Sequence, residues 1–320
     1  MELIDATMLF RTRFRLVIAL LVLAPLSGCL FHSYKVESRI SAAPLKQATE
    51  AELVNRINAQ AAAIKTLNAT VDISTSVGGW TKGKITQYQS ISGYILVRKP
   101  QTLRMIGLLP VVRSRAFDMV SDGQTFELSI PPKNRFIVGR NDVITHNTSQ
   151  PLENLRPQQI LDALLLREIN PSDEIAVLEN SYEIVPDPKK KNKELQQPDY
   201  VISVIHRDDA GWYLSRKVVI SRTDLDPHQQ IIYDRNGYIA SDVRYSKFTD
   251  HDGVEFPGEI DIWRPQEEYA IDLTVQKLAL NQPLTDEQFT LQPPAGAQVV
   301  RLDTANSSQN SGSAGEAPQQ

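Results

Sequence analysis

From about residue 67 onward, large apolar side chains recur at every second position, the period of a strand with one buried face. Segments 68–78, 84–98, 101–108, 114–121, 124–130 and 135–139 follow one another at short intervals. Phe117 and Met119 share a face, as do Phe126, Leu128 and Ile130, and then Phe136 and Val138. Asp122-Gly123 and Pro131-Pro132-Lys133-Asn134 supply turn chemistry between these strands. A second series runs from about 174 to 280, where Asn236-Gly237 is a two-residue hairpin signal and Asp252-Gly253 resembles it. In that series Trp212, Leu214, Val218 and Ile220 fall on one face, and Ile271, Leu273 and Val275 on another.

Two stretches break the period. Thr49 and Glu52 form a capping-box pair ahead of Leu53, Ile57, Ala61, Ile64 and Leu67, which predicts an amphipathic helix. Pro157 to Ile169 predicts a second helix, with Ile160, Leu161, Leu164 and Leu165 as its apolar stripe. About eleven strands joined by local hairpins imply an antiparallel sheet, and a sheet of that size must curl. The expected fold is mainly β with helices: a curved antiparallel sheet forming an unclosed β-barrel, with the helices as a lid on its concave side.

The chain ends lie outside this pattern. Arg11, Arg13 and Arg15 precede an apolar run from Leu16 to Leu26, and Leu26-Ser27-Gly28-Cys29 follows. A basic region, a short apolar region and small residues make a secretory signal, and the run is shorter than the roughly 20 residues of a spanning helix. The tetrapeptide resembles the bacterial lipobox, in which the cysteine is lipidated after cleavage. This divides the chain into a signal peptide at 1–28, a tether at 29–47, a single folded domain at 48–303 and a disordered tail at 304–320. Met8 is an alternative start. Asp after such a cysteine resembles the inner-membrane retention signal of enteric bacteria; Leu30 follows Cys29 instead, so the resemblance implies the outer membrane, facing the periplasm.

Charge and cysteine content narrow the partners. The chain carries 34 Lys and Arg against 38 Asp and Glu; residues 1–28 hold three basic and two acidic side chains, so 31 and 36 remain after cleavage. That balance argues against a nucleic-acid surface. Cys29 is the single cysteine, so no intrachain disulfide forms and stability must come from the core. The run from Lys189 to Glu194 reads as a solvated hairpin loop, with a basic membrane contact as the sharper alternative.

Enzyme signatures are missing. The chain has no Gly-x-Ser-x-Gly, His-Glu-x-x-His, Walker or dinucleotide motif. Asp250-His251-Asp252-Gly253 is better read as a turn than as a metal cluster. No catalytic residue, metal or cofactor is expected.

The N-terminal helix, Ser92-Gly93-Tyr94-Ile95, Leu103-Arg104-Met105, Phe117 to Gly123 and Asn134-Arg135-Phe136 resemble the Lol family of bacterial lipoprotein carriers and receptors. Tyr233 to Gly237, Val243-Arg244-Tyr245, Gly253 to Pro257 and Leu284 to Phe289 extend that resemblance over about residues 50 to 302. The resemblance implies an apolar cavity under a helical lid that takes acyl chains of lipoproteins or related lipids, with a periplasmic carrier as a partner. The lipobox sorts the chain with the membrane-bound receptor of the family. The insertion around 150–198 and the tail depart from the pattern and leave the client open, so a non-transferring lipid sensor or envelope scaffold stands as the alternative.

Cavity candidates are Ile95, Val97, Leu103, Met105, Phe117, Met119, Phe126, Leu128 and Trp212, each with plain core as its competing reading. Arg216 shares the parity of Leu214 and Val218. A surface position is favoured for it over one inside the barrel, bonding a lid carbonyl. Within residues 105–113, MIGLLPVVR, Met105 and Ile106 belong to a strand that includes Leu103, and Gly107 to Val112 connect it to the strand that begins near Ser114, with Gly107 and Pro110 suited to a turn. By resemblance, Leu109 matches the protruding leucine of the family's receptor, with Leu108, Val111 and Val112 in support. A loop folded back to cap the core is the competing reading.

Overall fold

The computed structural model describes residues 43–302, apart from 80, 82, 143–155, 188–189 and 192. The signal peptide, Cys29 and the tail therefore lie outside the described residues. The chain is already docked at the end of the expected tether, where the Lys46 amide donates to the Arg222 carbonyl at 2.7 Å.

The capping box opens helix α1, Glu50–Ala63. The Glu52 carboxylate accepts from the Thr49 amide at 2.8 Å, and the Glu52 amide donates back to the Thr49 hydroxyl at 3.3 Å. The first strand series is β1 Thr66–Gly79, β2 Lys84–Gln87, β3 Ile91–Arg98, β4 Thr102–Leu108, β5 Arg115–Ser121, β6 Thr125–Ile130 and β7 Arg135–Arg140. Helix α2 is Pro157–Leu164. The second series is β8 Glu174–Pro186, β9 Glu194–Asp208, β10 Gly211–Ser221, β11 Pro227–Tyr233, β12 Ile239–His251, β13 Val254–Arg264 and β14 Tyr269–Leu280, with β15 Gln298–Arg301 last.

Among the described residues the sheet has fifteen strands, more than the eleven expected. Residues 84–98 divide into β2 and β3, and β15 is a four-residue strand with no alternating core pattern to announce it. The strand order is β15-β7-β6-β5-β4-β3-β1-β14-β13-β12-β11-β10-β9-β8, with β2 beside β1. Every pairing is antiparallel except that of β15 with β7. β8 and β15 are the two ends of the path and do not pair, so the barrel is unclosed. β1 and β14 join the halves, with a bulge between Thr70 and Val71.

Both helices cover the concave face. The α2 stripe of Ile160, Leu161 and Leu164 packs into one cluster with Ile95, Val97, Met119, Leu128 and Leu273. Leu53 and Ile57 of α1 enter a second cluster with Ile202, Val204, Val218 and Ile220 of β9 and β10. Each such side chain contributes roughly 1.5–3 kcal/mol on burial. Helix α1 stops at Ala63, so Ile64 is its C-cap and Leu67 belongs to β1. Helix α2 is shorter than Pro157–Ile169, because residues beyond Leu165 run between α1 and the sheet and bury Leu166 and Ile169 there. Asn58 of α1 clamps that segment: its amide donates to the Ile169 carbonyl at 3.1 Å and its carbonyl accepts from the Ile169 amide at 2.8 Å. This is the unclosed barrel with a helical lid that the pattern predicts.

Candidate functional site

A cavity of about 400 Å³ opens where β1, β3, β14 and the β4–β5 connection meet. Its size lies within the roughly 300–1,000 Å³ of small-molecule pockets. Ile73 and Val77 of β1, Ile91 of β3, and Tyr269 and Ile271 of β14 form the wall. Met105 and Phe117 form the opposite side, and Leu109 and Pro110 form the lip. Cross-strand register brings the wall together: Val77 faces Tyr269 and Thr75 faces Ile271.

Phe117 can lie along the sheet because its cross-strand neighbour is Gly107. A Cβ on Gly107 would stand 2.3 Å from the Phe117 ring and 2.8 Å from Ile91 Cδ1, so any larger residue must shift these two cavity-lining side chains. The glycine shapes the site through its missing side chain.

The lip continues into an exposed loop. The connection begins at Leu109 and not at the expected Gly107, because Gly107 and Leu108 stay in β4 through their pairing with Phe117 and Arg115. Leu109 is half-buried at the cavity edge, while Val111 and Val112 are 98% and 70% exposed. The Arg113 amide donates to the Leu109 carbonyl at 3.0 Å, and the Leu109 amide to the Ser114 carbonyl at 2.8 Å. These bonds tie the turn, yet Val111 is held at φ 66°, a left-handed conformation that a β-branched residue adopts only under strain. The loop therefore presents two apolar side chains to solvent next to the mouth of an apolar cavity.

Of the nine cavity candidates, the structure brings Met105 and Phe117 to the cavity. Ile95, Val97, Leu103, Met119, Phe126 and Leu128 sit in the packed core, where α2 and its flanks fill the concave space they face. Trp212 is 50% exposed beneath the Arg207 guanidinium, 5.7 Å from its ring. A bulge between Leu214 and Arg216 explains the misplacement: one extra residue in β10 reverses the alternation, so Trp212 does not share the face of Val218 and Ile220. The wall residues of β1, β3 and β14 escaped sequence reading, because periodicity marks a buried face but does not say which strands become neighbours.

Buried polar groups hold the lid over the core. Tyr245 donates to the Ala163 carbonyl at 2.8 Å and Gln230 donates to the Asp162 carbonyl at 2.9 Å. Arg216 is 1% exposed, correcting the surface position favoured for it. Its guanidinium makes two bonds to Glu174, at 3.0 and 3.1 Å, and a third to the Glu168 carbonyl at 3.1 Å. The arginine thus bonds the backbone that leaves α2 from the sheet side, inside the barrel. Burial pushes the Asp162 carboxyl upward, against the pull of Arg167, Arg216 and Arg264. Tyr269 bridges cavity and lid: it lines the cavity while its hydroxyl lies 3.5 Å from Gln159 of α2.

Asp250 and His251 close β12 and Asp252-Gly253 is the turn into β13, with the Gly253 amide donating to the Asp250 carboxylate at 3.1 Å. The Lys189–Glu194 run joins β8 to β9 as a hairpin, with Lys189 and Asn192 outside the described residues.

No family model matches the chain, and no curated protein matches it. Among solved structures, a LolA superfamily protein from Nitrosomonas europaea is 14% identical, with 77% of this chain and 99% of that chain covered at a TM-score of 0.46. A DUF1329 family protein from Desulfovibrio piger is 13% identical, covering 75% of this chain and 95% of its own at a TM-score of 0.46. An outer membrane lipoprotein-sorting protein domain from Vibrio parahaemolyticus is 13% identical over 75% of this chain and 95% of its own, at a TM-score of 0.41.

Proposed function

We propose that the protein is an outer-membrane-anchored lipoprotein, held by Cys29, that binds acyl chains of lipoproteins or related lipids and assists their insertion into the membrane. One observation carries the reading: the apolar cavity and the exposed Val111–Val112 tip share a boundary at Leu109 and Pro110. An acyl chain leaving the cavity along that lip meets apolar surface all the way to the loop tip. Transfer then requires no nucleotide and no reactive group, since the chain moves between two apolar environments. Met105 suits a chain of variable length because its side chain adapts its shape. Acyl chains identified by mass spectrometry in the purified, unlipidated protein test the binding; lipoproteins stalled at the inner membrane after depletion test the transfer.

The lid bonds favour a second reading, a sensor or scaffold that binds lipid without passing it on. Tyr245, Gln230, Arg216 and Asn58 all grip the α2 segment, and the space beneath it is packed. A lid so held opens rarely, which suits recognition more than turnover. Depletion without stalled lipoproteins selects this reading.

A further inference from the structure

We propose that the face of the sheet opposite the lid binds a divalent transition-metal cation of the Zn²⁺ class between Glu183, Asp199 and His228. The three residues come from three strands, β8, β9 and β11, and their ligand atoms all lie within 4.8 Å of one another. They line a groove of about 360 Å³ beside Val201, Val219 and Tyr233. Tyr200 and Ile202 alternate with Asp199 and Val201 along β9 and belong to the core under α1, so the groove lies on the other face.

The register explains how a histidine arrives there. Val219 of β10 faces Gln229, and Ile220 faces Pro227. His228 is the surplus residue of this bulge, freed from the strand alternation that would otherwise set its direction.

The second observation concerns the atoms themselves. His228 Nε2 stands 3.3 Å from Asp199 Oδ1. Neither atom has a hydrogen-bond partner, although both are shut off from solvent. Asp199 is 1% exposed, so a buried carboxylate oxygen lies beside a ring nitrogen at ion-pair distance and neither is satisfied by a hydrogen bond. With the His228 proton on Nδ1, the two atoms offer the pair of lone pairs that a cation requires. Ligands at 2.0–2.2 Å from a tetrahedral zinc lie about 3.4 Å apart, so the His228–Asp199 pair is already spaced for one.

Glu183 completes the set from the more open side of the groove. Its carboxylate accepts from the Arg244 guanidinium at 2.8 Å, which orients it as an outer-shell partner orients a ligand. Arg244 also adds a positive charge, which the two carboxylates outweigh. One imidazole nitrogen with two carboxylate oxygens selects a first-row transition ion over Ca²⁺ or Mg²⁺, and no thiolate biases it toward softer metals. The groove leaves room for water as the fourth ligand. A bound ion would tie the edge strand β8 to β11, three strands inward, and so brace one free end of the barrel.

The test is a Zn²⁺ titration of the full-length chain in detergent after metal stripping, followed by calorimetry and thermal unfolding. The expected result is one saturable site, a higher melting temperature with Zn²⁺, and tetrahedral Co²⁺ absorption on substitution. His228→Gln and Glu183→Gln should weaken binding by about tenfold or more, with His251→Gln unchanged. Glu183 is the more exposed ligand, so its variant reads out binding even if a change at Asp199 or His228 disturbs folding. Absence of saturable binding, or equal affinity in His228→Gln, Glu183→Gln and His251→Gln, overturns the proposal.

Discussion

The Tyr245 hydroxyl of β12 donates to the Ala163 carbonyl in the last turn of α2 across 2.8 Å, fastening lid to wall in the buried interior. Burial pushes the Tyr245 hydroxyl further above its ordinary range, so it remains a donor throughout the accessible pH range. Tyr245→Phe leaves the carbonyl without this partner and should cost about 1–3 kcal/mol of stability. Uptake of a fluorescent fatty acid should rise in the same variant if lid opening limits access. Urea unfolding and the uptake assay measure the two effects separately.

The Arg216–Glu174 pair predicts a large asymmetry. Both side chains are buried, so removing one partner leaves the other charge uncompensated. Glu174→Gln should cost roughly 3–5 kcal/mol, whereas replacing both residues with apolar ones of similar volume should cost much less. Equilibrium unfolding of the single and double variants makes the comparison.

Asp162 predicts a pH dependence. Burial raises its carboxyl above the ordinary value, so the folded chain holds this proton to higher pH than the unfolded chain does. Its contribution is complete below about pH 4, near the unfolded value, and is lost as pH rises through the folded value. Asp162→Asn should remove that loss, so the variant gains stability relative to the parent as pH rises above about 4. Chemical denaturation at a series of pH values checks the sign.

These latches were only partly legible in the sequence. The capping box at Thr49, the apolar stripe of α2 and the core face of β6 follow from local chemistry, and the structure has them. In β7 the expected face of Phe136 and Val138 is the wrong one, since Ile137 pairs with Leu128 and enters the core cluster. The bulges in β10 and β11 were not readable, because each adds one residue without changing composition, yet they turn Trp212 away from the core and set His228 in the groove. The hairpin at Asn236-Gly237 became a five-residue connection, 234–238, because the Asp234 carboxylate accepts from both the Asn236 and Tyr238 amides. The cavity depends on β1 lying beside β14, about two hundred residues away along the chain, which no local pattern specifies.

The loop next to the cavity carries its own prediction. Val111 is exposed at positive φ, so Val111→Gly should be tolerated or stabilising by up to about 1 kcal/mol as the strain is released. Val111→Glu should fold as well as the parent and bind phospholipid vesicles less tightly. Unchanged vesicle binding would remove the loop from membrane contact. Leu109→Glu differs, since Leu109 also lines the cavity and its change should reduce acyl binding too.

Acyl-chain binding is tested most directly by titrating a fluorescent fatty acid into the unlipidated parent and into Gly107→Val. A Cβ at residue 107 collides with the Phe117 ring and with Ile91, both of which line the cavity, and so reshapes it. The account predicts saturable binding by the parent, with fatty acids found by mass spectrometry in the purified protein, and binding at least about tenfold weaker in a folded Gly107→Val variant. No bound lipid and no uptake by the parent, or equal uptake by both proteins, would contradict it.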